Sequence, residues 1–325
     1  MKPSRRRFLR MAVAAAALPA VSRAASAQTY PTRPVRLIVG TPAGGGADLL
    51  ARLIGQWLSE RLYQPFIVEN RPGAGTNIAT ESVVRAAPDG HTLLLFNAAS
   101  AINATLYEKL SFDFIRDIVP VAGVIRNELV MLVNPLVPAK TVPEFIAYAK
   151  VAQRTINMAS GGNGTPSHVA GELFKIMARV NVVHVPYRGT APLLTDLLGG
   201  QVQVYFGPML TSIEHIRAGR LRALAVTTAK RSDALPGIPT LGDFLPGYEA
   251  STWNGVGAPR NTPVEVVNRL NQEINAGLAD AKVKSRLADM GAIPMPMSPV
   301  DLGKLIVEET EKWGRVIRAA NIRAE

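Results

Sequence analysis

The chain has 325 residues, of which 47% are hydrophobic, carries a formal charge of +11 and contains no cysteine. The missing cysteine excludes disulfides, thiol nucleophiles, thiolate metal sites and iron–sulfur clusters, whereas the hydrophobic content is enough for one large α/β domain or for two domains. Residues 1–27 hold six of the basic residues and no acidic one, so 30 basic and 25 acidic residues remain. With only 6% aromatic residues, this balance argues against a nucleic-acid-binding surface.

The N-terminus has the pattern of an export signal. Arg5-Arg6-Arg7 precede an alanine-rich apolar run over 11–20, and Ala25-Ser26-Ala27 is a small-residue cleavage site. Paired arginines are typical of twin-arginine export, from which a Sec signal differs in only a few residues. The apolar run is far shorter than the roughly 20 residues that cross a bilayer. We therefore expect a periplasmic protein whose mature chain begins near Gln28.

After this signal, short apolar runs alternate with helical patterns. The pattern predicts strands at 35–39, 65–69 and 92–96, with helices at 47–62 and 76–87 between them. This βαβαβ order predicts a parallel sheet with right-handed crossovers, and the third strand, without polar alternation, is expected to be covered on both faces. The face of the first helix that is expected to be buried comprises Leu49, Leu50, Leu53, Ile54, Trp57 and Leu58.

A second set of the same kind follows. Thr141-Val142-Pro143-Glu144 predicts a capping box that starts a helix running to about Val151. Two α/β sets predict two lobes, with 28–125 and about 250–290 in lobe 1, 126–249 in lobe 2, and 291–325 as a C-terminal helical segment whose lobe the sequence leaves open. The other predicted elements are strands at 156–159, 182–185, 202–206 and 221–226, and helices at 166–178, 191–198, 263–278 and 299–319.

Four turns rich in Gly, Ser, Thr or Asn follow strands, where α/β sheets bind ligands. The first turn, Thr41–Asp48, lacks the third glycine of a dinucleotide fingerprint and the Lys-Ser/Thr of a phosphate loop. Three successive glycines instead predict bare backbone N–H groups at a helix N-terminus, which suit a carboxylate. The alternative is a tight turn that merely needs glycine.

The remaining turns are more ambiguous. The second turn, Asn97–Ser100, could bind a ligand or cap the next helix. The third turn, Ser160–His168, opens a helix in the second set, and the fourth turn, Pro186–Pro192, carries Arg188, which could pair with a carboxylate or be solvated. The candidate ligand-binding residues are Ala43, Gly44, Gly45, Gly46, Asp48, Asn97, Ser100, Gly162, Gly164, Thr165, Ser167, His168, Arg188 and Asp196.

Motifs for catalysis and for metal binding are absent from the sequence. The four histidines form no zinc-helix spacing, no G-x-S-x-G nucleophile elbow occurs, and Ser167 and His168 would point about 100° apart on a helix. We therefore predict a protein that is not an enzyme, with no cofactor and no metal. The alternatives are an exported enzyme that uses Asp48 or Asp196 as a base, and a pure interaction protein without a small-molecule cleft.

The chain contains an ordered series of short motifs. Among them are Pro42–Asp48, Glu69–Gly75, Val185–Gly189, Asp196–Val202 and Leu221–Thr227. In this series the chain resembles the Bug family, the periplasmic solute-binding proteins of tripartite tricarboxylate transporters. The resemblance implies a monomer with a hinged, two-lobed periplasmic-binding-protein fold of type II ("Venus flytrap") and a mainly parallel sheet in each lobe.

The resemblance also implies a function. A small carboxylate would lie between the lobes, held by the first three turns and Asp196 through backbone N–H groups, hydroxyls and water. The closed protein would then dock on a membrane permease or on a sensor domain. Gln203 stands where many relatives have Asp, and Thr190 stands where relatives often have Gly. These departures leave the identity of the carboxylate open.

Overall fold

The computed structural model describes residues 30–152 and 155–324, so the expected export signal lies outside the described residues. The strands are β1 (Val35–Val39), β2 (Phe66–Asn70), β3 (Thr92–Asn97), β4 (Ile118–Val133), β5 (Asn157–Ser160), β6 (Val183–Pro186), β7 (Val204–Pro208), β8 (Arg222–Val226), β9 (Ser251–Pro259) and β10 (Ile293–Pro294). The helices are α1 (Gly46–Leu62), α2 (Asn77–Val84), α3 (Ala99–Leu106), α4 (Phe114–Asp117), α5 (Val142–Val151), α6 (Pro166–Ala178), α7 (Thr190–Leu198), α8 (Met209–Arg217), α9 (Val264–Ala279), α10 (Ala281–Asp289) and α11 (Pro299–Ala319).

The strands form two α/β halves that share their central strands. The order is β2-β1-β3-β9-β4-β7-β5-β6, with β8 and β10 both paired to β4. β1 pairs in parallel with β2 and β3, and β5 pairs in parallel with β6 and β7, as the βαβαβ patterns predict. β4 and β9 add antiparallel pairs, so the sheet is mixed. The fold is therefore the predicted α/β, two-lobed type.

β4 runs through both halves. Its residues 118–128 pair with β9, and its residues 129–133 pair with β7. Two register shifts, between Pro120 and Ala122 and between Gly123 and Ile125, interrupt its ladder with β9. Such irregularities bend a strand and increase its twist. The boundary between lobes 1 and 2 that the sequence predicts, at 125–126, falls inside this strand, and the sequence patterns predict no strand over 118–133.

Helices cover both faces of the sheet and build separate cores. α1 packs with α9 and α10 through Leu50, Ile54 and Leu270, on a core that includes β1. In the other half, α5 and α6 contribute Phe145 and Phe174. α11 enters two cores: Leu302 and Ile306 pack with Phe96, Ala98 and Trp253, whereas Trp313 and Val316 pack with the core of α5 and α6. The C-terminal helix therefore contacts both halves.

Two local predictions were wrong. Leu49 is 50% exposed, because the buried face of α1 follows the four-residue spacing of Leu50, Ile54, Leu58 and Leu62. The capping box at α5 is only half formed. Oγ1 of Thr141 accepts from the N–H of Glu144 at 3.3 Å, but the carboxylate of Glu144 accepts from the N–H of Lys140. None of the helices within 30–152 and 155–324 is long and apolar enough to span a membrane.

Candidate functional site

The first turn presents an uncapped helix N-terminus. Gly45 is the N-cap of α1, no side chain caps the helix, and 43–46 are exposed. The first helical bond runs from the N–H of Leu49 to the carbonyl of Gly45 at 3.0 Å, so the preceding N–H groups have no partner within the helix. Unpaired N–H groups and the helix dipole together favour an anion at this position.

The three glycines of this turn have different structural requirements. Gly44 has φ +81°, which favours glycine. Gly45 lies at φ −79°, and a Cβ added to it would meet only the carbonyl oxygen of Pro42 at 3.5 Å. A Cβ on Gly46 would meet nothing within 4 Å. Neither conformation nor packing demands glycine at 45 and 46, and this favours an open approach for a ligand to the backbone.

The side chain of Asp48 is buried and bonds to the first turn and to Arg52 of the same helix. Its side chain is 3% exposed and accepts from the N–H of Gly44 at 2.9 Å and from Nε and Nη2 of Arg52, both at 3.0 Å. The hydrogen bonds from Arg52 and Gly44 lower the pKa of the Asp48 carboxyl. A general base that works near neutral pH needs the opposite shift, so this geometry gives no support to Asp48 as a base.

The second turn shares a small cavity with the first. Oδ1 of Asn97 accepts from the N–H of Ala99 at 2.9 Å, and Ser100 is buried with no hydrogen-bond partner for its Oγ. Asn97, Ala47 and Thr41 line an enclosed cavity of about 10 Å³, roughly the room for one water molecule. The buried Oγ1 of Thr41 has no hydrogen-bond partner either. Sequence reasoning did not include Thr41 among the candidate residues, although its place two residues after the end of β1 was a usable signal.

A strained segment lies against the same cavity. Gly73, Ala74, Gly75 and Thr76 have φ values of 128°, 46°, 60° and 80°, and Thr76 lines the cavity. Nδ2 of Asn103 on α3 donates to the carbonyl of Gly75 at 2.7 Å and holds the segment in place. Non-glycine residues at such φ values are uncommon and concentrate at functional sites. Sequence reasoning missed this segment, since only its two glycines indicated positive φ.

The third turn is bonded to itself. The N–H of Gly161 donates to Oγ of Ser167 at 3.2 Å, Oγ1 of Thr165 donates to the carbonyl of Gly162 at 2.8 Å, and the N–H of Gly164 donates to Nδ1 of His168 at 3.0 Å. These polar side chains therefore shape the turn in addition to any contact with a ligand.

Gly164 is required by the structure. It has φ +70°, and a Cβ at this position would lie 2.2 Å from Cδ2 of Leu106, the last residue of α3. Gly162 also has a positive φ of 129°. For Gly164, conformation and packing are a sufficient reason for glycine. Because Leu106 is the last residue of α3, this contact places the third turn against the C-terminal end of the helix that follows the second turn.

The fourth turn lies beside the third. The N–H of Tyr187 donates to the carbonyl of Ser160 at 2.9 Å, and Oη of Tyr187 donates to Oδ2 of Asp196 at 2.7 Å. Desolvation and this bond raise the pKa of Tyr187 to about 12, so the phenol stays protonated and Asp196 remains the acceptor. Arg188 is exposed.

Over 30–152 and 155–324, no group of three or more His, Asp or Glu side chains could hold a metal ion.

Comparisons with known proteins give one consistent family. Residues 50–322 match the model of the tripartite tricarboxylate transporter family receptor. The chain is 35% identical over 296 residues to protein BugT of Bordetella pertussis, covering 90% of this chain and 91% of BugT.

Solved structures agree with this match. The structure of Rhodopseudomonas palustris Rpa4515 with adipate is similar at a TM-score of 0.79 and 36% identity, covering 90% of this chain and 99% of that chain. MatC from the same species, with bound malate, is similar at a TM-score of 0.75 and 33% identity, covering 89% and 100%.

Proposed function

Because this chain belongs to the tripartite tricarboxylate transporter receptor family, we propose that it captures a small dicarboxylate between its two lobes and delivers it to a membrane permease. Two relatives support the ligand class, since one is described with adipate and the other with malate. The export pattern of residues 1–27 and the periplasmic place of the family support a periplasmic protein. We propose that it acts as a monomer.

The observation that carries this proposal is the open first turn. Its exposed, uncapped N–H groups lie at the carboxyl end of β1. Neither the backbone conformation nor the packing requires glycine at 45 and 46, and the absence of side chains there leaves the backbone accessible. A carboxylate accepting such N–H groups gains charge-assisted hydrogen bonds, each contributing about 1.5–3 kcal/mol. We include in the proposed site the other candidate residues of the four turns.

We propose that the chain passes from one lobe to the other near residue 126, within β4, and returns near residue 250, just before β9. A ligand that touches both lobes favours the closed form, and only this difference in affinity shifts the population. Delivery to a sensor domain in place of a permease would use the same closed form. We propose no catalysis, and recovery of unchanged ligand after long incubation is the expected result.

A thermal-shift screen tests the ligand class directly. The purified protein is heated with adipate, malate, monocarboxylates, tricarboxylates, amino acids and aromatic acids. A ligand that binds only the folded state adds about 2.7 kcal/mol of stability at a hundredfold excess over its Kd. We expect a clear shift with a dicarboxylate. A folded protein that responds to none of these acids would contradict the proposal.

The site itself is tested by Gly45→Val. The φ of −79° and the free space accept a valine, so the variant should fold, whereas its side chain blocks access to the N–H groups. Loss of one charge-assisted bond predicts adipate binding that is weaker by about 10- to 100-fold in calorimetry. Gly237→Val is the matched control, because Gly237 is exposed and its Cβ would meet nothing within 4 Å. Equal affinity of the two variants would remove the first turn from the site.

A further inference from the structure

His184 on β6 holds the beginning of the third turn. Its Nε2 lies 2.6 Å from Oγ of Ser160, the last residue of the neighbouring parallel strand β5. Ser160 is fully buried, and its hydroxyl also bonds to both the N–H and the carbonyl of Gly162 at 3.1 Å. The imidazole of His184 therefore restrains the hydroxyl that organises Gly162, one of the candidate binding residues.

The same ring also supports the end of the turn. The imidazoles of His184 and His168 stack with centroids 3.5 Å apart and planes 9° from parallel. Nδ1 of His168 accepts from the N–H of Gly164, which requires an unprotonated Nδ1. The proton of the neutral ring is then on Nε2, 3.7 Å from Oε1 of Glu172. One ring on β6 thus braces the turn at Ser160 and at His168.

The electrostatic surroundings keep His184 neutral. The ionisable groups that act on it are His168, Glu172 and Lys175, and the last two form an ion pair at 2.7 Å. Burial, and then the neighbouring His168, lower the pKa of His184 to about 4. Two cationic rings in this stack would repel each other, so the stacked arrangement suits neutral rings.

We propose that His184 is a positioning residue for ligand capture, which fixes the third turn in its binding form by holding Ser160 at one end and His168 at the other. The inference rests on the proposed function and assigns a role to a side chain outside the candidate site. His184 acts through the turn, so its removal changes the conformation of Gly162 and Gly164 and leaves the chemical groups of the turn in place.

A double-mutant cycle tests this role. His184→Phe keeps a planar ring for the stack and removes the nitrogen that bonds to Ser160, and Ser160→Ala removes the partner. Adipate affinity is measured by calorimetry near neutral pH, and amide exchange of Gly162 and Gly164 is measured by NMR without ligand. Val183→Thr, on the same strand and at a side chain that is 47% exposed, is the matched control.

We expect each single variant to bind adipate about tenfold more weakly and to exchange both amides faster, with the control unchanged. The double variant should be no more than about threefold worse than Ser160→Ala, because that variant has already lost the bond to His184 together with the two bonds to Gly162. Additive losses, near hundredfold, would overturn the proposal, and so would wild-type affinity in His184→Phe. If His184→Phe fails to fold, His184→Leu, which also has no hydrogen-bonding group, replaces it in the cycle.

The exchange measurement separates this inference from the proposed function. A wild-type protein that binds no carboxylate would defeat the proposed function alone. Wild-type protection of the Gly162 and Gly164 amides in His184→Phe would overturn the positioning role even if adipate binds.

Discussion

Single residues in the two glycine-rich turns differ in what they tolerate. Gly45 lies in an ordinary conformation with free space, whereas Gly164 combines a φ of +70° with the side chain of Leu106. A substitution at Gly164 would therefore disturb the fold before it tests binding, and Gly45 is the informative position. Likewise Asp48 and Asp196 are engaged with Arg52 and Tyr187, so their first role is to shape the turns.

His184 also makes stability depend on pH. Its pKa in the folded protein is about 4, below the usual 6.5, so between these values the unfolded chain binds a proton that the folded protein excludes. The contribution of the neutral ring to the free energy of unfolding is fully present above about pH 6.5. It is lost as the pH falls towards 4. The hydrogen bond from Arg116 lowers the pKa of Asp117 to about 2, so the titration of Asp117 affects stability only at pH values below this range.

We therefore expect the free energy of unfolding in urea to fall between neutral pH and about pH 5. The fall should be smaller in His184→Phe, which has no imidazole at this position. An equal fall in both proteins would assign the pH dependence to other groups.

Among the elements, α11 packs against both halves of the protein. Its residue Glu309 is 8% exposed, and Oε2 accepts from Nε1 of Trp253 on β9 at 3.3 Å and from Nε1 of Trp313 at 2.8 Å. Oε1 pairs with Lys312. Both indoles are buried, so their N–H groups depend on this carboxylate. The contact joins α11 to the strand that β4 pairs with along 118–128.

Glu309→Leu tests this contact. Removing the acceptor leaves two buried indole N–H groups unpaired, each at about 1–3 kcal/mol, so we expect a loss of about 2–6 kcal/mol in the free energy of unfolding. Urea denaturation followed by tryptophan fluorescence is the measurement. Glu308→Leu, at the exposed neighbouring position, should change stability by less than about 0.5 kcal/mol. Similar losses in the two variants would show that the indoles do not depend on Glu309.

At the scale of the whole protein, the proposed function requires the two halves to close around the ligand. The halves share β4 and β9 and contact each other through α3 and α11, while the candidate turns lie at the ends of strands in both halves. Moving such a protein from mostly open to mostly closed requires about 5.5 kcal/mol of differential binding. We propose that this energy comes from a ligand that binds the N-termini of α1 and α6 at the same time.

Small-angle X-ray scattering tests closure. Saturating adipate should reduce the radius of gyration of the wild-type protein, because closure brings the lobes together. At an adipate concentration that only just saturates the wild type, Gly45→Val should compact less, because its weaker binding leaves fewer molecules occupied. Binding by the wild type without any change in scattering would contradict a hinged mechanism.

Local patterns predicted most of the elements of this protein. The bounds of α6 and α11 agree with the predicted helices at 166–178 and 299–319, and the parallel ladders of β1–β3 follow from the βαβαβ order. The first turn was recognised as an uncapped helix N-terminus from its glycines alone. These features depend on residues that are close in the chain, where periodicity and turn chemistry are legible.

Other features arose only when distant segments met. The role of β4 as a strand common to both halves depends on β7 and β9, and the need for glycine at 164 depends on Leu106. The stack of His168 on His184 depends on the position of α6 against β6. The cavity beside Thr41 likewise needs Thr76 and Asn97 from separate turns. Sequence spacing carries no information about such contacts, because the packing of the completed fold determines which side chains face each other.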